Sequence, residues 1–298
     1  MNTDMEWPVK QRELVKFVID SRPWNGFEFR DDDIVIATWA KSGTTWMQQI
    51  VGQLIFGGEA DFYGVDRSPW PDFRLVPDML ERAVAQTHRR YLKTHLPIES
   101  LVYSPKAKYI YVGRDGRDCY WSWHNHHMSF TQETLDQINS FYPNEPPIGY
   151  PNPDIRLAFL EWLERDAYPN WPFWSHIQGW FDARHLPNLK LVHFADLKAD
   201  LRGEIEKIAE FLEIKVDPKN WPAILEHCSF EYMKALAMKN ERAKRVFKGG
   251  GASFINKGTN GRWRDVLSAE DNARYAAEVA KNLSPEAAIW LETGRLPG

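Results

Sequence analysis

The sequence predicts an α/β fold with a central parallel sheet flanked by helices, on three observations. Four short apolar runs rich in β-branched and aromatic residues read as buried strands. Longer patterned stretches lie between them, the alternation that produces parallel strands joined by crossover helices. One junction, "TWAKSGTTWMQQIV" at 38–51, packs a lysine, a serine, a glycine and two threonines into the turn from a strand to a helix.

Taken in order, the predicted strands are "DIVIATW" (33–39), "RRYLKTH" (89–95), "KYIYVGR" (108–114) and "LKLVHFADL" (189–197). The predicted helices run from Thr45 to Phe56, Asp115 to Met128, Pro153 to Glu164 and Leu201 to Leu212. Three segments read as irregular: the Pro- and aromatic-rich 61–78, the Pro-rich 140–154, and the Gly- and Lys-rich 244–263. No repeat or low-complexity linker divides the chain, so residues 1–298 are expected to form one domain. Ligands of open α/β sheets sit beyond the carboxyl ends of the strands, so the 38–51 junction aims at the expected site.

Bulk composition excludes several function classes. Of 298 residues, 43% are hydrophobic and 26% charged, which is ordinary globular chemistry. A net charge of −4 gives no global field for nucleic acid or anionic membrane, so any anion site must be local. Cys119 and Cys228 are far apart, as expected in a reducing compartment. The N-terminal "MNTDMEWPVKQRELVK" has no apolar core, and no run approaches the ~18 apolar residues of a membrane span. A cytoplasmic protein is expected.

The 38–51 junction is not a Walker A loop, because Lys41 precedes Gly43, the one glycine of that turn. It still has what an anion needs. Amides at a helix start lack intrahelical partners, Gly43 lets the backbone approach, Thr44 and Thr45 add hydroxyls, and Lys41 adds charge. A second strand–turn–helix, "GRDGRDCYWSWH" (113–124), offers Arg114 at a strand end and Ser122 two helical turns on. There Asp115 and Asp118 read equally as helix caps. "KTHLP" (93–97) places Lys93 and His95 at another strand end, where His95 is either a general base or a structural histidine. The Gly-rich 244–263, with Lys248 and Lys257, is either a lid or a surface loop.

In this order, "WAKSGTTW", "KTHLP", "GRDGRDCYWSWH" and "NKGTNGRW" resemble the motifs of the cytosolic sulfotransferase family, whose donor is 3′-phosphoadenosine 5′-phosphosulfate (PAPS). The resemblance covers most of the chain. It implies that Lys41, Ser42, Gly43, Thr44, Thr45 and Trp46 form a P-loop-like phosphosulfate-binding loop, with Trp46 against the adenine. It implies that Arg114 and Ser122 bind the 3′-phosphate and that Lys257 and Gly258 close on it. It makes His95 the base that takes the acceptor's proton, with Lys41 and Lys93 at the transferred sulfuryl group, leaving PAP. The implied acceptor is a small hydroxyl- or amine-bearing molecule. No metal is implied.

The chain departs from the family pattern at Asn256, where an arginine is usual, at Phe194, usually tyrosine, and at Cys228, usually threonine. The first removes a bidentate contact and the second a hydroxyl near the adenine. "RDVLSAEDNA" lacks the Thr-Val pair of the family's dimerisation segment, so monomer and dimer both stay open. Alternatives outside the family are a P-loop nucleoside triphosphatase or kinase, with Asp196 as strand-end acid, and a non-catalytic nucleotide-binding protein. "HNHHM" (124–128) puts His124 and His127 near one helix face without a third metal ligand. Trp70, Phe73, Phe141 and Tyr142 are candidates for an aromatic acceptor wall or for loop anchors.

Overall fold

The computed structural model describes residues 6–144 and 146–296. Met1 to Met5 of the N-terminal stretch and Glu145 of the Pro-rich loop lie outside the described residues. A short antiparallel hairpin, β1 (Val15–Lys16) and β2 (Ile19–Asp20), comes first. The central sheet is parallel, in the order β4-β3-β5-β6, built from β3 (Ile34–Thr38), β4 (Tyr91–Thr94), β5 (Lys108–Gly113) and β6 (Leu189–His193). Ile34 of β3 is in register with Tyr91 on one side and Lys108 on the other, and Tyr109 of β5 with Leu189.

Period-two alternation sends side chains to both faces of the sheet, and both are buried. Val35, Ala37, Leu92, Tyr109 and Tyr111 join one apolar core. Ile34, Ile36, Tyr91, Ile110 and Val112 join the other.

Helix α1 (Thr44–Ile55) buries Met47, Ile50, Val51 and Leu54 in the second core, the i, i+3, i+4, i+7 spacing of one helix face. After α2 (Met79–Val84) comes α3 (Gly116–Met128), whose Cys119, Tyr120 and Trp123 enter the first core. Helices α4 (Gln132–Ser140), α5 (Ile155–Glu164) and α6 (Trp174–Asp182) follow, α6 packing Trp174, Ile177, Trp180 and Phe181 onto that face. Next are α7 (Phe194–Ala199) and α8 (Leu201–Phe211), with Ile205 and Ile208 of α8 in the second core. The chain closes with α9 (Trp221–His227), α10 (Phe230–Lys239), α11 (Glu241–Val246), α12 (Gly250–Phe254), α13 (Ala269–Asn282) and α14 (Pro285–Thr293).

All four predicted strands and all four predicted helices form, within one to three residues at most ends. Two readings need correction. "LKLVHFADL" is strand only to His193, because the His193 side chain accepts from the Ala195 amide and starts α7. The Gly-rich 244–263 holds the end of α11 and all of α12, where Gly251 sits so close to the Ala237 carbonyl that no Cβ fits. Among the described residues, no helix is long and apolar enough to cross a membrane.

Arg90 and Asp33 form a buried ion pair at the amino ends of β4 and β3, with side chains 2% and 1% exposed. Arg90 also donates to the Glu28 carbonyl at 2.8 Å and lies over the Phe27 ring. Arg90→Met strands a buried carboxylate and should lower unfolding free energy by about 3–5 kcal/mol. Adding Asp33→Asn removes the stranded charge and should recover much of the loss, measured by urea denaturation.

Candidate functional site

Three strand ends meet at one edge of the sheet, and each carries one of the motifs. At the end of β3 the chain turns through Lys41 (φ 67°) and Gly43 (φ 115°), both in the left-handed region. A Cβ on Gly43 would lie 2.9 Å from the Phe194 ring, so glycine answers both the backbone angle and the close approach. No side chain caps α1 and no acidic residue lies in its first turn, which leaves its amino-terminal donors available to an anion. Ser42 is buried with Oγ 3.3 Å from Cys119 Sγ, while Thr45 is half-buried. Trp46 donates from Nε1 to the Cys228 carbonyl at 2.8 Å and meets Phe194 edge-on at 5.4 Å.

The end of β4 is tied to this loop. His95 Nδ1 lies 2.7 Å from the Thr38 carbonyl and 3.1 Å from Thr38 Oγ1, which is itself 2.7 Å from Thr44 Oγ1. A carbonyl only accepts, so Nδ1 carries the proton and Nε2 is the basic nitrogen. The ring is stacked against Trp171 at 5.5 Å and meets Trp70 edge-on at 4.9 Å. Burial, reinforced by the charge of Lys93, holds His95 well below the usual histidine range, so the imidazole is neutral and able to take a proton.

Lys93 packs its ammonium 3.8 Å from the Trp70 ring centroid, and burial pushes it down to about 7. Asp72 opposes that shift, while Lys41 and Arg242 add to it. Lys41 is pushed down to about 8 by burial and by Arg114. Asp72 was not singled out in the sequence. Its fully buried carboxylate accepts from Trp24 Nε1 at 3.0 Å, Trp70 Nε1 at 2.7 Å and the His95 amide at 3.3 Å. It therefore fixes Trp70 and the His95 backbone together.

At the end of β5, Asp115 caps α3 by accepting from the Arg117 amide at 2.8 Å, which settles its role as a cap. Asp118 instead accepts from the Gly261 amide at 2.7 Å and so ties the third motif to α3. Arg114 is 5% exposed, lies over the Phe194 ring at 4.2 Å and donates to Asn260 Oδ1 at 2.8 and 3.0 Å. It also donates to the Thr259 carbonyl at 3.2 Å and the Lys41 carbonyl at 3.1 Å. The third motif thus reaches Arg114 through Thr259 and Asn260, neither of which stood out in the sequence.

Lys41, Lys93 and His95 are brought together: the charge of Lys41 acts on both of the others. Ser122 is half-buried on α3. Lys257 and Asn256 point to solvent, and Gly258 (φ 62°) lies against the Phe230 ring. The predicted strand-end acid, Asp196, lies in the first turn of α7 beyond β6. The three histidines of "HNHHM" diverge: His124 Nε2 donates to the Asn152 carbonyl, His126 faces Lys41, and His127 packs on Trp123. Among the described residues, no group of three or more His, Cys, Asp or Glu could hold a metal ion.

The sulfotransferase domain profile matches residues 31–284. Sulfotransferase 1A1 of Rattus norvegicus is 30% identical over 93% of both chains. A glycolipid sulfotransferase of Mycobacterium tuberculosis is 28% identical over 97% of both. Among solved structures, retinol dehydratase in complex with androsterone and PAP has a TM-score of 0.71 at 23% identity, covering 94% of this chain and 89% of that one. A mouse sulfotransferase complexed with PAP has a TM-score of 0.68 at 20% identity, covering 91% and 92%. The chain belongs to the sulfotransferase domain family and is a PAPS-dependent sulfotransferase.

Proposed function

We propose that this sulfotransferase moves the sulfuryl group of PAPS to a hydroxyl of a small aromatic or otherwise apolar acceptor. The observation that carries the reading is His95, its Nδ1 held by the Thr38 carbonyl so that Nε2 is the basic nitrogen, beside the half-buried Lys41 and Lys93 at the β3 and β4 ends. His95 Nε2 takes the acceptor's proton as its oxygen attacks sulfur in line with the departing phosphate. Lys41 and the α1 amides hold the 5′-phosphosulfate, and Lys93 stabilises charge on the transferred group. A phosphosulfate carries less charge than a triphosphate tail, so lysines suffice where a kinase needs Mg²⁺. Arg114 and Ser122 bind the 3′-phosphate, with Asn260 and Thr259 giving way to it.

Trp70 and Phe73, stacked at 4.3 Å with Trp70 against His95, form the wall on which a flat acceptor would lie. Phe141 and Tyr142 pair instead with Arg74, at 5.0 and 4.7 Å, which suits loop anchors. A glycolipid hydroxyl is the second reading, supported by the mycobacterial relative. A screen of phenols, sterols and a glycolipid with PAPS separates the two.

Thermal unfolding gives the first check. PAP at 100 times its Kd should add ~2.7 kcal/mol and raise Tm by a few degrees, an effect that Arg114→Ala abolishes and that ADP or Mg-ATP does not reproduce. His95→Ala should keep the PAP-induced shift yet lose ~10²–10⁴-fold in turnover; retained activity would remove the base from the mechanism.

The lysines supply a third check. Lys41 is a like charge beside Lys93, so Lys41→Met should raise the Lys93 pKa from about 7; Asp72→Asn removes an opposite charge and should lower it. Lysine-labelled NMR titrations read both shifts. Since Lys93 is cationic only below its pKa, the alkaline limb of turnover should move the same way in the Asp72→Asn enzyme.

A further inference from the structure

Lys41 would hold the donor, yet its ammonium also has a partner within the protein. Nζ lies 3.3 Å from His126 Nδ1 and 5.2 Å from the Phe254 ring centroid. Among the described residues, no other group accepts from it. An ammonium has no lone pair, so His126 Nδ1 must be the acceptor and the imidazole neutral. Burial and the surrounding charges of Lys41, His127, Lys93 and His95 all act in that direction. His126 belongs to the last turn of α3, one turn beyond Ser122, and its ring is held by Phe130 at 5.0 Å, Phe247 at 4.8 Å and Phe254 at 5.9 Å.

A neutral imidazole is a weaker acceptor for an ammonium than a charged phosphosulfate oxygen. The amino end of α1, where such an oxygen would sit, offers Lys41 no carboxylate of its own. We propose that His126 is a positioning residue that parks Lys41 in competition with the donor, so that donor binding exchanges one hydrogen bond for another. This rests on the reading of the 41–46 loop as the donor's 5′-phosphate site. Parking keeps the ammonium of the half-buried Lys41 partnered and its side chain in one place. The bond lost on exchange is subtracted from donor affinity.

The test is calorimetric titration of PAP into the full-length enzyme and its variants. His126→Phe keeps the ring packing and removes the acceptor, and should tighten PAP binding about three- to tenfold. His126→Leu repeats the test should phenylalanine overfill the Phe130–Phe247–Phe254 cluster. His126→Asn places an amide oxygen where Nδ1 stood and should stay within about twofold of the unmodified enzyme. In a double-mutant cycle, the gain from His126→Phe should vanish in the Lys41→Met background. Unchanged or weaker binding on His126→Phe, or a gain that persists without Lys41, overturns the proposal. If Lys41→Met alone leaves PAP affinity untouched, the reading of the loop fails with it; if Lys41→Met weakens binding while His126→Phe does nothing, only the parking role fails.

Discussion

The parallel pairing of β3 with both β4 and β5 is the constraint on which the site depends. A parallel ladder satisfies its amides only when neighbouring strands run the same way, so their carboxyl ends come out at one edge. The chain goes from β3 to β4 on one side and then crosses to β5 on the other, and the β3 end lies at the switch point between them. Lys41, His95 and Arg114, separated widely in sequence, become neighbours because of that crossing. The His95 bond to the Thr38 carbonyl then ties the β4 end to the β3 end.

Around this edge the protein gathers cations without matching carboxylates. Lys41 and Lys93 are half-buried, with the charge of Lys41 acting against that of Lys93, and among the described residues Arg114 donates only to neutral oxygens. Asp115 is spent on capping α3 and on its bond to Arg117. Asp118 is taken up by the Gly261 amide. The charge of Asp72 acts on Lys93, and three donors keep its oxygens occupied. Such an imbalance of charge is unfavourable by itself and is relieved by a polyanion.

Much of this was legible in the sequence because it is local. Strand runs, the polar junction at 38–51 and the order of four motifs each need only a short window. What escaped detection depends on tertiary contact. Nothing about Asp72 within a Pro-rich loop signals that two tryptophans and a backbone amide will converge on it. Asn260 looks like a turn residue until Arg114 is seen to donate to it twice. His126 sits among other histidines, and only the fold sends its ring to Lys41 while its neighbours turn elsewhere. The early end of β6 was missed for a similar reason: a histidine cap can stop a strand whose apolar pattern runs on.

The occupancy of Arg114 has a kinetic consequence. Its fork already holds the Asn260 side chain and the Thr259 carbonyl, both from the turn that follows Gly258. In the proposed role of Arg114 as the 3′-phosphate site, the anion takes that fork only after the turn lets go. Capture then becomes a two-step process whose observed rate levels off at high ligand concentration, the plateau measuring the opening of one turn rather than diffusion.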